Sequence, residues 1–297
     1  MQFFFEVLIG GLLSGVMYSL VALGFVLIYK ASGVFNFAQG SMVFFAALTL
    51  VGLLEHGFPF SIALAATLVV MIVLGLLTER FVLRPLVNQP QISLFMATIG
   101  LSFLIEGLAQ LVWGASVRGL DLGLEDEPLQ WIADRTGVNV SKFDLVAAAI
   151  AAVLVSGLAL FFDRTRIGRA LRAVADDHQA ALAVGIPLQQ IWAIVWAVAG
   201  FVALVTGMLW GARNGVQFAL TFVALKALPV LIIGGFESVP GAIVGGLIIG
   251  ASEKLAEVFL GPYVGGGIEG WFPYVLALLF LLVRPEGLFG EKIIRRI

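Results

Sequence analysis

Side chains able to do chemistry are sparse in this chain, and most of those present sit in apolar surroundings. The segment Ser32-Gly33-Val34-Phe35-Asn36-Phe37-Ala38-Gln39-Gly40-Ser41 places two amides and two hydroxyls between long apolar runs. Asn36 and Gln39 supply hydrogen-bond donors and acceptors, and the helix expected to follow presents its N-terminus, which favours an anion such as a carboxylate. Irregular backbone at membrane depth is tolerated only against protein or an aqueous cavity, so Asn36, Gln39 and Ser41 are candidates to line a path for a solute. Ionisable groups inside the apolar runs are Glu106, Lys226 and the neighbours Glu253 and Lys254. Each is costly in hydrocarbon unless it faces protein or water. Glu106 and Lys226 therefore either line a translocation path, or pair internally or snorkel. Glu253 and Lys254 lie near the end of their run, where both head groups are expected to reach water.

Covalent catalysis finds little to work with. The chain has 2 His and 0 Cys, which removes disulfides, thiol nucleophiles and thiolate metal sites. His56 falls in a turn on one side of the expected membrane and His178 in a loop on the other, too far apart for one metal site. No run fits Gly-x-x-x-x-Gly-Lys-Ser/Thr, so any ATP is hydrolysed by a partner. The expected description is a non-enzyme with no cofactor of its own, ATP and Mg being bound by partner subunits.

The elements that must position these residues follow from composition. Of 297 residues, 61% are hydrophobic and 12% charged, and the mean hydropathy is +1.07. That is an all-α, polytopic membrane bundle, and its length allows about eight or nine spans of ~20 residues. The apolar runs are 7–29, 41–54, 60–77, 93–113, 145–162, 191–211, an interrupted stretch at 220–235, 242–255 and 271–283. They form one transmembrane domain over 1–297, since a bundle of spanning helices is one body. The net charge of −2 offers no basic face to nucleic acid. The opening Met1-Gln2-Phe3-Phe4-Phe5-Glu6 lacks the basic flank of a cleaved signal, and the first run is expected to be retained.

Retention of Lys and Arg on the cytoplasmic side orients the bundle. One assignment puts Lys30, Arg80, Arg84, Arg164, Arg166, Arg169, Arg172, Arg284, Lys292, Arg295 and Arg296 inside, eleven of the 17 basic residues. With nine spans it leaves the N-terminus outside and the C-terminus inside. The loop at about 114–144 is then external and acidic, with Asp121, Glu125, Asp126, Glu127 and Asp134. The loop at about 163–190 is cytoplasmic and predicted to be helical, with Ile167, Leu171 and Val174 at helical spacing. Asp176 is positioned to cap a second short helix, Gly185 to end it and Pro187 to prevent its continuation. The second unusual segment, Lys226-Ala-Leu-Pro229 and then Gly234 to Ala242, reads as a broken helix followed by a tight turn. Its glycines serve either a pathway or close helix approach, as expected of Gly11/Gly15, Gly241/Gly245 and Gly246/Gly250.

Four segments resemble the permease subunits of ATP-binding-cassette importers for branched-chain amino acids, of the LivH type: 11–24, 33–40, 168–186 and 226–242, in the family's order. In the family a Glu often follows the Asn-Phe-Ala-Gln-Gly run where this chain has Ser41, and smaller residues are common at Phe236-Glu237. The resemblance implies a multi-pass protein of the bacterial cytoplasmic (inner) membrane and a second, LivM-like permease subunit. It further implies two cytoplasmic ATPase subunits, an external substrate-binding protein and membrane lipid as surroundings, with no nucleic acid. It gives the 164–185 loop the role of a coupling element in a groove of the ATPase, with Arg169, Arg172, Asp176 and Gly185 as docking residues. Related permeases serve urea, other amino acids and amides, and a self-sufficient secondary transporter remains the alternative to an importer subunit.

Overall fold

The computed structural model describes residues 2–86, 89–124, 126–176 and 178–290, with Thr136 and His178 described by backbone alone. Glu125 of the acidic loop and Lys292, Arg295 and Arg296 of the basic tail lie outside the described residues. Among the described residues thirteen α-helices follow one another: α1 (Gln2–Ser32), α2 (Gln39–Glu55), α3 (Phe60–Thr78), α4 (Gln91–Trp113), α5 (Gln130–Thr136), α6 (Lys142–Arg164), α7 (Arg166–Asp176), α8 (His178–Ala183), α9 (Leu188–Asn214), α10 (Val223–Gly234), α11 (Val239–Phe259), α12 (Gly261–Val264) and α13 (Phe272–Val283). The only β pairings among the described residues are two isolated bridges, Arg118 with Val216 and Pro128 with Ser141.

Each of the nine apolar runs has become helix. By length and hydropathy, five stretches of the described residues could cross a bilayer, namely α1, Phe60–Leu86, α4, α6 and α9. The pair Phe218–Gly234 and Val239–Phe259 passes the same test as one broken span, bent by 112°. The apolar α2 and α13 are shorter. Leu111, Val153, Leu282 and Val283 are exposed on these helices, which suits a surface solvated by lipid rather than water.

The chain divides into two compact units. One comprises Met1–Leu23, Leu122–Gly157 and Lys226–Ile297, and the other Gly24–Asp121 and Leu158–Leu225. In the first, glycines set the packing of α1 on α11. A Cβ at Gly11 would stand 2.7 Å from the Gly250 carbonyl oxygen, and one at Gly246 would stand 2.6 Å from that of Gly15. Only small residues let backbones approach so closely, the mode expected where lipid removes the hydrophobic drive for helix association. In the second unit α9 packs against α2 and α3 by the same device, Gly200 facing the Met71 carbonyl and Gly207 that of Val43.

Termini of the helices follow local chemistry. Pro59, Pro90 and Pro187 stand in extended conformation immediately before α3, α4 and α9, where a proline ring is compatible with helix initiation but not with continuation of what precedes. Beyond α2, Gly57 at φ 84° donates to the Leu54 carbonyl at 2.9 Å and Phe58 donates to that of Leu53 at 3.2 Å, a left-handed glycine cap. The expected break at Lys226–Pro229 is displaced. α10 runs through Pro229, which removes one N–H, that towards the Leu225 carbonyl in the first turn. Regularity is lost on either side instead, in the 3₁₀ segment Phe218–Phe222 and in the turn at 235–238, where Gly235 has φ 102°. Ser238 caps α11 by accepting the Gly241 N–H at 3.0 Å, with Pro240 in the first turn.

Candidate functional site

The turn between α1 and α2 is built by its own amides. Gly33 leaves α1 at φ 67°. Asn36 Oδ1 accepts the Ala38 N–H at 3.1 Å, and Asn36 Nδ2 donates to Gln39 Oε1 at 3.3 Å. Gln39 Nε2 in turn donates to the Ala199 carbonyl of α9 at 3.5 Å. Gly24 makes room for that amide, since a Cβ there would lie 2.6 Å from Gln39 Nε2. Both amide side chains are 0% exposed. Asn36 and Gln39 thus hold the turn from inside the protein, and it is the neighbouring Phe35, stacked on Phe25 at 4.6 Å, that reaches the partly exposed surface.

Ser41 is buried and its hydroxyl donates to Glu106 Oε1 at 2.7 Å, so α2 and α4 share a hydrogen bond. Lys226 pairs with Glu253 at 2.9 Å, and Tyr18 OH donates to the same Oε1 at 3.0 Å. The expectation for Glu253 is overturned: with 1% exposure it lies inside its unit rather than reaching water, because Lys226 and Tyr18 supply what water would have supplied. Its second oxygen, Oε2, is buried with no hydrogen-bond partner. Lys254 is half-exposed and reaches Glu269 at 3.4 Å, in keeping with a snorkelling lysine. Glu106 and Lys226 each have a side-chain partner within their own unit.

Sequence reasoning missed Glu79. It opens a π-helical turn, Glu79–Leu83, continuing α3, and its buried carboxylate receives Arg84 through two bonds, Nε to Oε1 at 3.2 Å and Nη2 to Oε2 at 3.0 Å. A π-turn widens the helix by one residue and changes which side chains meet. The signal was present as Glu79 and Arg84 five apart, a spacing that a regular α-helix does not bring face to face. Among the described residues, no group of three or more His, Asp or Glu is arranged to hold a metal ion.

The loop after α6 forms two short helices, as its pattern predicts. α7 buries Gly168, Leu171 and Val174, while Ile167 is only half-buried. α7 is pinned to the end of α6: a Cβ at Gly168 would overlap the Phe162 carbonyl oxygen. Arg172 closes the joint by donating to the carbonyls of Phe162 at 3.1 Å and Asp163 at 3.2 Å, a cation on the unpaired C-terminal carbonyls of α6. Arg169 is exposed. Asp176 does not stand directly before α8. It is the exposed last residue of α7, because the helix runs to that point. Gly185, at φ 84°, ends the second helix: its N–H reaches the Leu182 carbonyl at 3.0 Å and that of Ile186 reaches Ala181 at 2.9 Å. Two apolar residues of this loop stand exposed, Leu182 at 53% and Val184 at 75%. They went unnoticed because an apolar residue in an Ala-rich helix reads as core.

Comparison with known proteins gives this geometry its family. The family described as branched-chain amino acid transport system / permease component matches residues 7–284. The high-affinity branched-chain amino acid transport system permease protein BraD of Pseudomonas aeruginosa is 29% identical, covering 99% of this chain and 98% of its own. LivH of Escherichia coli strain K12 is 25% identical with the same coverage. The fructose import permease protein FruG of Bifidobacterium longum is 25% identical over 84% of this chain and 74% of its own. With long apolar helices matched end to end by such relatives, this multi-pass membrane protein belongs to the branched-chain amino acid transport system permease family, of the LivH type.

Proposed function

We propose that this chain is a transmembrane subunit of an ATP-driven importer in the bacterial cytoplasmic membrane, carrying branched-chain or other hydrophobic amino acids. In this reading 1–297 acts as one permease domain with eight or nine crossings, formed by the five long helices, α2, the α10–α11 pair and α13. It pairs with a second permease of LivM-like type and is driven by two cytoplasmic ATPases that bind ATP and Mg. An external binding protein delivers solute beside the acidic loop, where Asp121, Asp126, Glu127 and Asp134 are exposed. Asn36, Gln39, Ser41, Glu106 and Lys226 belong to the inner wall of the pathway, the first two by shaping it.

The observation that carries the reading is the α7–α8 loop. It is too short to fold alone, it is rigidly joined to α6 through Gly168 and Arg172, and it projects Leu182 and Val184 where no hydrocarbon is expected. An apolar tip on a pinned helical lever fits a groove in a partner protein. Arg169, Asp176 and the Gly185 turn flank that tip and belong to the same docking surface, whereas Arg172 works on the α6 joint.

The test is purification from the native membrane in mild detergent through a C-terminal tag, with Leu182→Ser/Val184→Ser alongside. Recovery of a second hydrophobic permease and P-loop ATPases, with the ATPases lost from the double variant, is the expected result. Recovery of the chain without ATPases, under conditions where a control importer stays assembled, would replace the importer with a secondary transporter.

A further inference from the structure

Beside the buried Asn36 turn, the second unit carries a cleft of about 380 Å³. Tyr29 and Gly33 at the end of α1, Val34 and Phe35 in the turn, and Gln91 and Phe95 at the start of α4 form its walls, with Ile92 on its rim. The volume falls at the low end of the roughly 300–1,000 Å³ of small-ligand sites, and the lining has their composition, apolar walls with a few polar tips. The walls are fixed. Thr98 accepts the Phe37 N–H at 3.3 Å, and its hydroxyl lies 3.2 Å from the Phe35 carbonyl oxygen and 2.9 Å from that of Phe95. Phe35, Phe37 and Phe95 then form an edge-to-face series with centroids 4.8 Å apart at each step.

We propose that this cleft is a subsite for the aliphatic side chain of the transported amino acid, and that Asn36 and Gln39 are positioning residues that hold its Phe35 wall. The proposal rests on the permease reading and narrows it. A branched hydrocarbon gains from burial against Val34, Phe35 and Phe95. A polyol such as fructose would leave most of its hydroxyls unpaired there, since Tyr29 and Gln91 are the only polar side chains among the described residues lining it. The two amides are inside the protein with their bonds made, so they act on solute only through the backbone they fix.

The absence of cysteine from the sequence makes the test direct. Gln91→Cys and Ile92→Cys, both exposed in the cleft, are introduced singly into the complete transporter, reconstituted in liposomes and turning over ATP, with Phe103→Cys, 68% exposed on α4, as control. A water-soluble maleimide should modify both cleft positions. Leucine at about ten times its Kd should slow this about tenfold, and fructose and urea should not slow it. Phe103→Cys should be indifferent to all three. Modification that leucine does not slow, while the same vesicles take up leucine, overturns the subsite and leaves the permease reading intact. Modification only by a membrane-partitioning maleimide makes the cleft a lipid groove and overturns it too. Protection by fructose or urea in place of leucine overturns the solute assignment, and failure of the wild-type vesicles to take up leucine is failure of the parent reading. For the positioning role, Asn36→Ala should raise KM for leucine more than it lowers maximal ATPase rate. Asn36→Ser, which keeps a neutral acceptor for the Ala38 N–H, should restore part of the loss.

Discussion

Lys226 and Glu253 show how a charge survives at membrane depth in this chain. One carboxylate oxygen takes both Lys226 and Tyr18, and the other takes nothing. Removing one member of a buried pair leaves an uncompensated charge, a loss of about 3–5 kcal/mol in fully buried cases and less here because Lys226 is 29% exposed. Lys226→Met should therefore lower the melting temperature of the detergent-solubilised protein, and Lys226→Met/Glu253→Gln should recover at least half of that drop. Equal melting of the single and double variants would mean that the pair contributes packing and not charge compensation. Arg84→Ala should behave like Lys226→Met, since it strands the buried Glu79 carboxylate inside the π-turn. The sequence made the pairing of Lys226 legible but not its partner: Lys226 and Glu253 lie 27 residues apart on different helices, and only the α10–α11 turn brings them together. Asn36 and Gln39 were legible as unusual residues, yet their zero exposure depends on Ala199 and Gly24, which no local pattern connects to them.

At the scale of the element, the 163–190 loop was the most legible part of the chain. Its helical periodicity, its terminating glycine and Pro187 are local signals, and each appears in the structure. What periodicity could not supply is the joint to α6, made by Gly168 against a carbonyl and by Arg172 across a chain reversal. Gly168→Ala should separate α7 from α6 at a cost of about 1–3 kcal/mol in local packing. The expected result is an assembled transporter whose ATPase runs but whose solute uptake falls. Unchanged uptake per ATP would show that α7 does not transmit force through α6. The Leu182→Ser/Val184→Ser variant acts at the other end of the lever and should lose ATPase binding itself. The two lesions are therefore told apart by what co-purifies.

For the whole molecule, the open quantity is how many times the chain crosses. α2 has 17 residues and α13 has 12, or about 25 and 18 Å of helix against ~30 Å of hydrocarbon. Hydropathy saw nine runs because it weighs composition, whereas a crossing also needs length. Contacts inside each unit nevertheless pair helix ends in an alternating order. In the unit holding α9, Trp192 at its start donates to Ala31 at the end of α1, while Glu55, Arg118 and Val216 meet beyond the ends of α2, α4 and α9. In the other, Phe3 and Phe4 at the start of α1 lie against Phe259 at the end of α11. There too, Leu288, after α13, donates to Ile233 near the end of α10 at 2.7 Å. That alternation is what nine crossings produce if α13 completes its span with the flanking 268–271 and 284–287 segments. Single cysteines at Asp126, Leu182, Tyr263 and Glu286 in intact cells decide it. Nine crossings with the N-terminus outside expose Asp126→Cys and Tyr263→Cys to an impermeant maleimide from the periplasmic side and shield Leu182→Cys and Glu286→Cys. If α13 does not cross, Tyr263→Cys and Glu286→Cys share one side; if the α10–α11 pair is a single broken span, Leu182→Cys and Tyr263→Cys share one instead.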